Sequence, residues 1–260
     1  MNELEKKILK WQEKPAKRKE DGVFIVEGIR MFREIPEDRL LKILVSQEFS
    51  EKDPETMALV REKQAASGAQ LHVVRDDVFR KLSDTLTPQG LLAVVRSTFC
   101  TEEALLEAEN GLYLLLETLQ DPGNLGTILR SAEASGVSGI FMNETCVDIY
   151  NPKVVRATMG AIFRVPFSVV PDLRETVLKI QKRKGAVYAA HLKGAVPYDQ
   201  ADYRGMSAFM IGNEAKGLSD ALTALADRRI IIPMKGSVES LNAAMAATIL
   251  MFEAARQRRS

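Results

Sequence analysis

The sequence predicts an α/β chain in two parts, the second built on a mostly parallel, doubly wound sheet. Three observations carry this. Short apolar runs alternate with helix-period segments along nearly all of its 260 residues. The run LYLLLE at 112–117 is apolar up to its last residue, as a parallel strand covered on both faces must be. An acidic, polar stretch at 97–111, STFCTEEALLEAENG, interrupts the alternation and reads as a linker.

The elements follow in order. Residues 1–20 form a charged helix or arm, with seven Lys or Arg against four Glu. VFIVEG at 23–28 is a strand entering a turn, and IRMFREI after it is helical. LLKILVS at 40–46 is the second strand. The segment 53–68 opens on Asp-Pro and closes on Gly, the start and stop of a helix. Strands at 71–75 and 91–96 enclose VFRKLSD and the turn TPQG. These make a first domain over 1–96, followed by the linker and a second domain over 112–260. In the second, helices are expected at 124–135, 152–159, 172–184, 218–225 and 240–257. Strands are expected at 139–142, 165–169, 186–190, 208–212 and 229–233.

Composition narrows the function classes. A hydrophobic fraction of 46% and a charged fraction of 27% describe an ordinary soluble globular chain. A net charge of +1 does not announce nucleic acid, although a local patch suffices for it. Cys100 and Cys146 lack CxxC spacing, which argues against a disulfide framework or structural zinc and for a reducing cytoplasm. His72 and His191 are too few for a histidine metal site, so no metal is expected. The N-terminus has no apolar signal region, and no apolar run approaches a membrane span. A cytoplasmic protein without a membrane partner is the expectation.

Three strand–loop–helix junctions hold the candidate chemistry: DPGNLGTILRSAEASG (121–136), FMIGNEAKGLS (209–219) and IIPMKGSVESLNAAMAA (231–247). In the first, Asp121-Pro122-Gly123-Asn124 is turn chemistry, Asn124 is a candidate helix cap, and Arg130 lies within the helix. In the second, Gly212 at a strand end gives a ligand backbone clearance, Glu214 bonds a ligand or fixes the loop, and Ser219 is a candidate cap. In the third, Ser240 is a candidate cap, Asn242 lies on the first helical turn, and Ala243, Ala244, Ala246 and Ala247 give a small-residue face. Each also has a plain structural reading: a solvated Arg, an ordinary turn, an Ala-rich helix buried in its own monomer. No GxGxxG or GxxxxGK[ST] occurs, which argues against a nicotinamide oxidoreductase and a phosphate-cradling loop. Lys153 and Arg156 are weaker candidates for a basic rim and Tyr150 for stacking on a base, Glu27-Gly28 and Arg30 read equally as RNA contacts or plain strand-end residues, and His191 reads as an edge or core histidine.

Together the three junctions resemble the three motifs of the SpoU (TrmH-like) family of RNA ribose 2′-O-methyltransferases, in the SPOUT superfamily, over about 112–258. The first hundred residues resemble, more loosely, the substrate-binding domain related to ribosomal protein L30 or L7Ae. The resemblance implies a trefoil-knotted domain, a homodimer, and S-adenosyl-L-methionine as cofactor. Carried over by position, Gly212, Ile232 and Leu241 contact the cofactor, with Met234, Ser240 and Asn242 completing its pocket. Arg130 takes the catalytic role, with Asn124 and Glu214 beside it. Because a guanidinium is a poor base, Arg130 is expected to bind the phosphate next to the target ribose and to stabilise alkoxide charge, whether or not it also accepts the proton. Arg18, Lys19 and Arg30 are the expected RNA contacts of the first domain. The expected substrate is 23S ribosomal RNA. Transfer RNA comes second, and a non-catalytic RNA-binding or ribosome-assembly role is the alternative.

Overall fold

Strands that are apolar on both faces need a layer above and below them, and this chain builds two such sheets. The computed structural model describes residues 1–192, 196–238 and 240–259. In chain order the elements begin with α1 (Glu3–Glu13), α2 (Pro15–Asp21), β1 (Val23–Glu27), α3 (Ile29–Glu34), β2 (Leu40–Ser46), α4 (Gln47–Lys52), α5 (Pro54–Ser67), β3 (Gln70–Val74), α6 (Asp76–Leu82) and β4 (Leu91–Arg96). They continue with α7 (Glu102–Leu105), β5 (Leu112–Leu116), α8 (Pro122–Ser135), β6 (Gly139–Asn143), α9 (Pro152–Thr158), β7 (Phe167–Val170), α10 (Leu173–Lys182), β8 (Ala186–Ala190), β9 (Val196–Pro197), β10 (Ser207–Ile211), α11 (Asp220–Thr223), β11 (Arg228–Ile231) and α12 (Ala243–Arg258).

The chain divides into two compact units. The first comprises Met1–Thr98 with Asp148–Phe163, and the second Phe99–Val147 with Arg164–Ser260. The segment 148–163 thus packs with the N-terminal unit, although it lies in sequence beyond residue 112.

The first unit has a four-stranded sheet in the order β1-β4-β2-β3, with β4 antiparallel to both neighbours and β2 parallel to β3. Ile8 and Trp11 of α1 and Phe79 and Leu82 of α6 cover one face, against Leu44 and Val94. The charged N-terminus is an ordered helix, because Asn2 and Glu5 form a reciprocal capping box. Asp53 caps α5 and Gly68 ends it at φ +71°, as the sequence signals predict.

Arg18 departs from expectation. It is buried, and its guanidinium donates to the Trp11 and Gln12 carbonyls and to the Asp148 carboxylate. All its strong donors point inward, so it ties α1 and α2 to the 148–163 segment instead of facing RNA. Tyr150 is likewise structural: buried, stacked on Phe24 at 4.4 Å, and bonded through its hydroxyl to the Thr98 backbone. Arg156 is paired with Asp84 at 2.8 Å. Lys19 and Arg30 are exposed.

The second unit holds an entirely parallel seven-stranded sheet in the order β7-β6-β5-β10-β8-β11-β9. Tyr113, Leu115, Phe141, Val187 and Met210 lie in its core. The strand order reverses beside β5, where β6 lies on one side and the late strand β10 on the other. In open α/β sheets the crevice for a ligand opens at such a reversal, outside the carboxyl ends of the strands. α12 packs on α8, where the Thr248 hydroxyl donates to Ser131 Oγ at 2.8 Å, and Ala244 and Ala247 of α12 are buried. Part of the small-residue face is therefore used within the monomer.

Some boundaries move. β7 starts at Phe167, α11 is a single turn, and β9 is a short edge strand that the sequence does not announce. Among the described residues no helix is long and apolar enough to cross a membrane, and no cluster of His, Cys, Asp and Glu is placed to hold a metal.

Candidate functional site

Each of the three junctions is built by a different local device. After β5 the chain turns at Thr118, a non-glycine residue at φ +56°, whose N–H donates to Asn143 Oδ1 at 2.8 Å. Asp121 then caps α8 by accepting from the Asn124 N–H at 2.7 Å, with Pro122 in the first turn. Asn124 is therefore not the cap; its side chain is buried and free to act elsewhere. After β10, Asn213 and Gly217 exchange backbone bonds of 3.1 and 2.8 Å, closing a tight loop with Gly217 at φ +70°. A Cβ at Gly212 would lie 2.2 Å from Gly217 C and from Leu218 N. The clearance that Gly212 supplies thus serves the returning 217–218 backbone. Asn213 Nδ2 donates to the Thr118 carbonyl at 2.9 Å and joins the second loop to the first. In the third junction Asn242 caps α12 by accepting from Ala244 N at 2.9 Å. Ser240, the expected cap, lies two residues earlier and is exposed.

One chain of side-chain bonds joins all three. The Glu214 carboxylate accepts from Gln120 N at 3.1 Å, Asp121 N at 2.9 Å and Asn124 Nδ2 at 3.1 Å. Asn124 Oδ1 accepts in turn from Asn242 Nδ2 at 2.8 Å. Burial raises the Glu214 carboxyl, but the Asn124 amide and the backbone N–H donors outweigh it and hold the group below its ordinary value. Glu214 is thus an ionised clamp that receives three donors at neutral pH. It lacks the raised pKa of a general acid or base.

Beside this clamp lies a cavity of about 430 Å³, bounded by the second and third junctions and the end of β8. Gly212, Glu214, Ile232, Met234, Ser240 and Leu241 all line it. Ala246 and Leu250 of α12 make an apolar floor. Asn242 and Asn124 do not line it; they hold its wall. Arg130 does not line it either. It is exposed on α8 and makes no hydrogen bond or ion pair among the described residues, so its guanidinium is available to an external anion.

Sequence reasoning passed over several supports. Glu117, the acid closing the apolar run, accepts from Ser219 N and Ser219 Oγ, both at 2.7 Å, while Ser219 caps α11. Its signal was an acid at a strand end where a second apolar residue was affordable. Cys146 is half-buried beside the first junction, receives the Leu119 N–H at 3.3 Å, and has its thiol pushed up to about 11 by desolvation. Nothing in its spacing marked it.

Known proteins match this chain along its whole length. The model of the SpoU rRNA Methylase family matches residues 111–252, and that of the MRM3-like substrate binding domain matches residues 2–93. A 23S rRNA (guanosine(2553)-2′-O)-methyltransferase of Bacillus subtilis is 30% identical over 248 residues, 95% of this chain and 94% of its own. A 23S rRNA (uridine(2479)-2′-O)-methyltransferase of Streptomyces viridochromogenes is 33% identical over 252 residues, 93% of this chain and 85% of its own. The crystal structure of the SpoU methyltransferase AviRb from that organism, in complex with AdoMet, superposes with a TM-score of 0.89 at 28% identity, covering 100% of this chain and 99% of the other. The family model spans the whole parallel sheet and all three junctions, and the chain belongs to the SpoU rRNA methylase family.

Proposed function

We propose that this protein transfers a methyl group from S-adenosyl-L-methionine to a ribose 2′-hydroxyl of 23S ribosomal RNA. The observation that carries the reading is the cavity between the second and third junctions, set beside the Glu214–Asn124–Asn242 chain at the root of the helix that presents Arg130. The residues fit the cofactor. A volume of about 430 Å³ falls in the range of small-molecule sites. Ile232, Leu241, Ala246 and Leu250 offer apolar walls to a flat ring, and Lys216 offers a cation to a carboxylate. When bound, the cofactor supplies an electrophilic methyl group on its sulfonium.

The protein's part is then placement and charge. Gly212, Ile232 and Leu241 hold the cofactor through the loop backbone, with Met234 and Ser240 at its edge. Glu214 and Asn242 keep the two loops in register with Asn124, and hence with α8. Arg130 takes the phosphate next to the target ribose and offsets the negative charge that develops as the hydroxyl loses its proton. The ribose oxygen gains the methyl group as the carbon–sulfur bond breaks, and its proton passes to solvent water.

In the same reading, 1–96 binds RNA, 97–111 links, and 112–260 carries out transfer, in line with the spans of the two matched family models. Lys19 and Arg30 contribute RNA contacts. The second domain is a trefoil knot and the protein a homodimer. The late strand β10 inserted between β5 and β8 supports the first. Exposed Met245 and Phe252 on α12 support the second. Two free thiols are in keeping with the cytoplasm. Mapping 2′-O-methyl groups in cellular RNA with and without the gene tests the whole. One missing methyl group in 23S RNA is expected, and an unchanged map of ribosomal RNA refutes the substrate.

A further inference from the structure

In the first unit, β1 is apolar until Glu27, which is nonetheless buried. Its carboxylate accepts from the Ser83 hydroxyl, from Thr85 Oγ1 at 2.7 Å and from the Asp84 N–H at 3.0 Å. The 83–90 loop is held at further points. Gln89 Oε1 accepts from the Ile29 N–H at 2.9 Å, over Gly28, whose φ of +92° lets the chain pass. Asp84 pairs with Arg156 at 2.8 Å, and Gly90 at φ +82° fits against Phe49. In the middle of this fixed loop Leu86 stands at 103% of its reference exposure.

A single exposed leucine on a mobile loop needs no explanation. On a loop braced by a buried carboxylate it is a preorganised apolar finger, whose ordering entropy is already spent before any partner arrives. The surroundings choose the partner. Arg80 and Lys81 are exposed in the last turn of α6, immediately before the loop, and Arg30 is exposed just after the Gly28–Ile29 turn that Gln89 grips. Thr85, Thr87 and Gln89 put polar groups on the loop beside Leu86. Cations flanking an apolar finger suit a polyanion that carries flat apolar faces, which is RNA with an unstacked base. Leucine is among the side chains that wedge against bases in nucleic-acid complexes.

We infer that the 83–90 loop is the RNA-reading element of the first unit: Leu86 packs on an unstacked base of the substrate RNA, and Glu27 is the positioning residue that holds the loop for it. This rests on the reading of the substrate as ribosomal RNA. The test uses the full-length protein, fluorescein-labelled 23S rRNA transcribed in vitro, filter binding across a salt series, and calorimetric titration with S-adenosyl-L-methionine. Leu86→Ala is expected to weaken rRNA binding about tenfold. The salt slope stays the same, because no charge is lost. Cofactor affinity also stays unchanged. Glu27→Gln is expected to weaken rRNA binding by about threefold to tenfold and to speed amide exchange at Asp84, a local loosening that the melting temperature does not register.

Wild-type rRNA affinity in Leu86→Ala would overturn the inference while leaving the methyltransferase reading intact. A defect seen only with ribosomal particles, and not with naked rRNA, would also overturn it, since the finger then meets protein. If the wild-type protein neither binds nor methylates 23S rRNA, the functional reading fails and takes this inference with it.

Discussion

Two carboxylates, one in each unit, do similar work with different reach. Glu27 accepts three donors from three successive residues, 83 to 85, and so fixes one loop. Glu214 accepts from Gln120, Asp121 and Asn124, and through Asn124 it reaches Asn242, so it fixes three loops against one another. The difference teaches what each unit needs. A recognition surface needs one loop held in shape. A transfer site needs separate loops held in register, because misplacement of reacting groups by about 1 Å can cost about a hundredfold in rate.

The largest expected effect isolates the catalytic arm of the second unit. Arg130→Ala is expected to lower methyl transfer by about a thousandfold, the scale of losing a charge-stabilising donor. Cofactor affinity in calorimetry is expected to stay at the wild-type value, because Arg130 does not line the cavity. A parallel fall in both quantities would move Arg130 into the cofactor pocket and erase the distinction between transfer and binding parts.

Next come the glycines beneath each carboxylate's loop. Gly212→Ala drives a Cβ to 2.2 Å from backbone at 217–218, which cannot yield without opening the second junction. A loss of about 1–3 kcal/mol in unfolding free energy is expected, together with weak cofactor binding. At Gly28 the nearest atom to a new Cβ is the tip of the Gln89 side chain at 2.9 Å, and the φ of +92° supplies most of the strain. Gly28→Ala should spare cofactor binding and weaken rRNA binding. Chemical denaturation and the two titrations check the pair, and matching profiles would mean that the two braces are not separable.

The carboxylates themselves give the sharpest contrast. Glu214→Gln should cut cofactor affinity and turnover by about tenfold to a hundredfold and leave rRNA affinity unchanged; Glu27→Gln should weaken rRNA binding by about threefold to tenfold and leave cofactor affinity unchanged. The acid response separates them further. Glu214 is held below its ordinary value in the folded protein, so its contribution is complete above the ordinary glutamate range and is lost as pH falls through the depressed folded value. Melting curves from pH 7 to pH 3 should therefore be shallower for Glu214→Gln than for wild type. Identical slopes would show that the clamp is not ionised in the fold.

Much of this architecture was legible because it depends on periodicity. The apolar run at 112–116 had to be a central strand, and the Asp-Pro and Gly signals of α5 lie in the residues they govern. What the linear pattern could not carry was partnership at long range. Asn124 and Asn242 are 118 residues apart: the first reads as a helix cap and the second as part of a first helical turn, whereas Asn242 is the cap and Asn124 is not. Arg18 looked like one more cation in a basic arm, because nothing local shows that Asp148 will come to it. Leu86 lies 59 residues from Glu27, and nothing local shows that the strand-end acid will brace the loop that carries it.

Two neighbours on α2 make the smallest and cleanest test of how the first unit divides its cations. Arg18 is buried with four donated bonds, while Lys19 beside it is exposed. Arg18→Ala leaves two carbonyls and Asp148 Oδ2 without their donor, while Asp148 Oδ1 keeps the Tyr150 N–H. Asp148 retains some exposure, so water relieves part of that loss, and about 2–4 kcal/mol of stability should go. Lys19→Ala should leave the melting temperature unchanged. Its effect belongs to RNA alone: a few-fold weaker binding at moderate salt and a salt slope reduced by about one. Because the two residues share a helix and a charge, any difference in outcome comes from burial. An unaltered salt slope in Lys19→Ala would remove α2 from the RNA surface and leave Arg30 and the Leu86 loop to carry recognition.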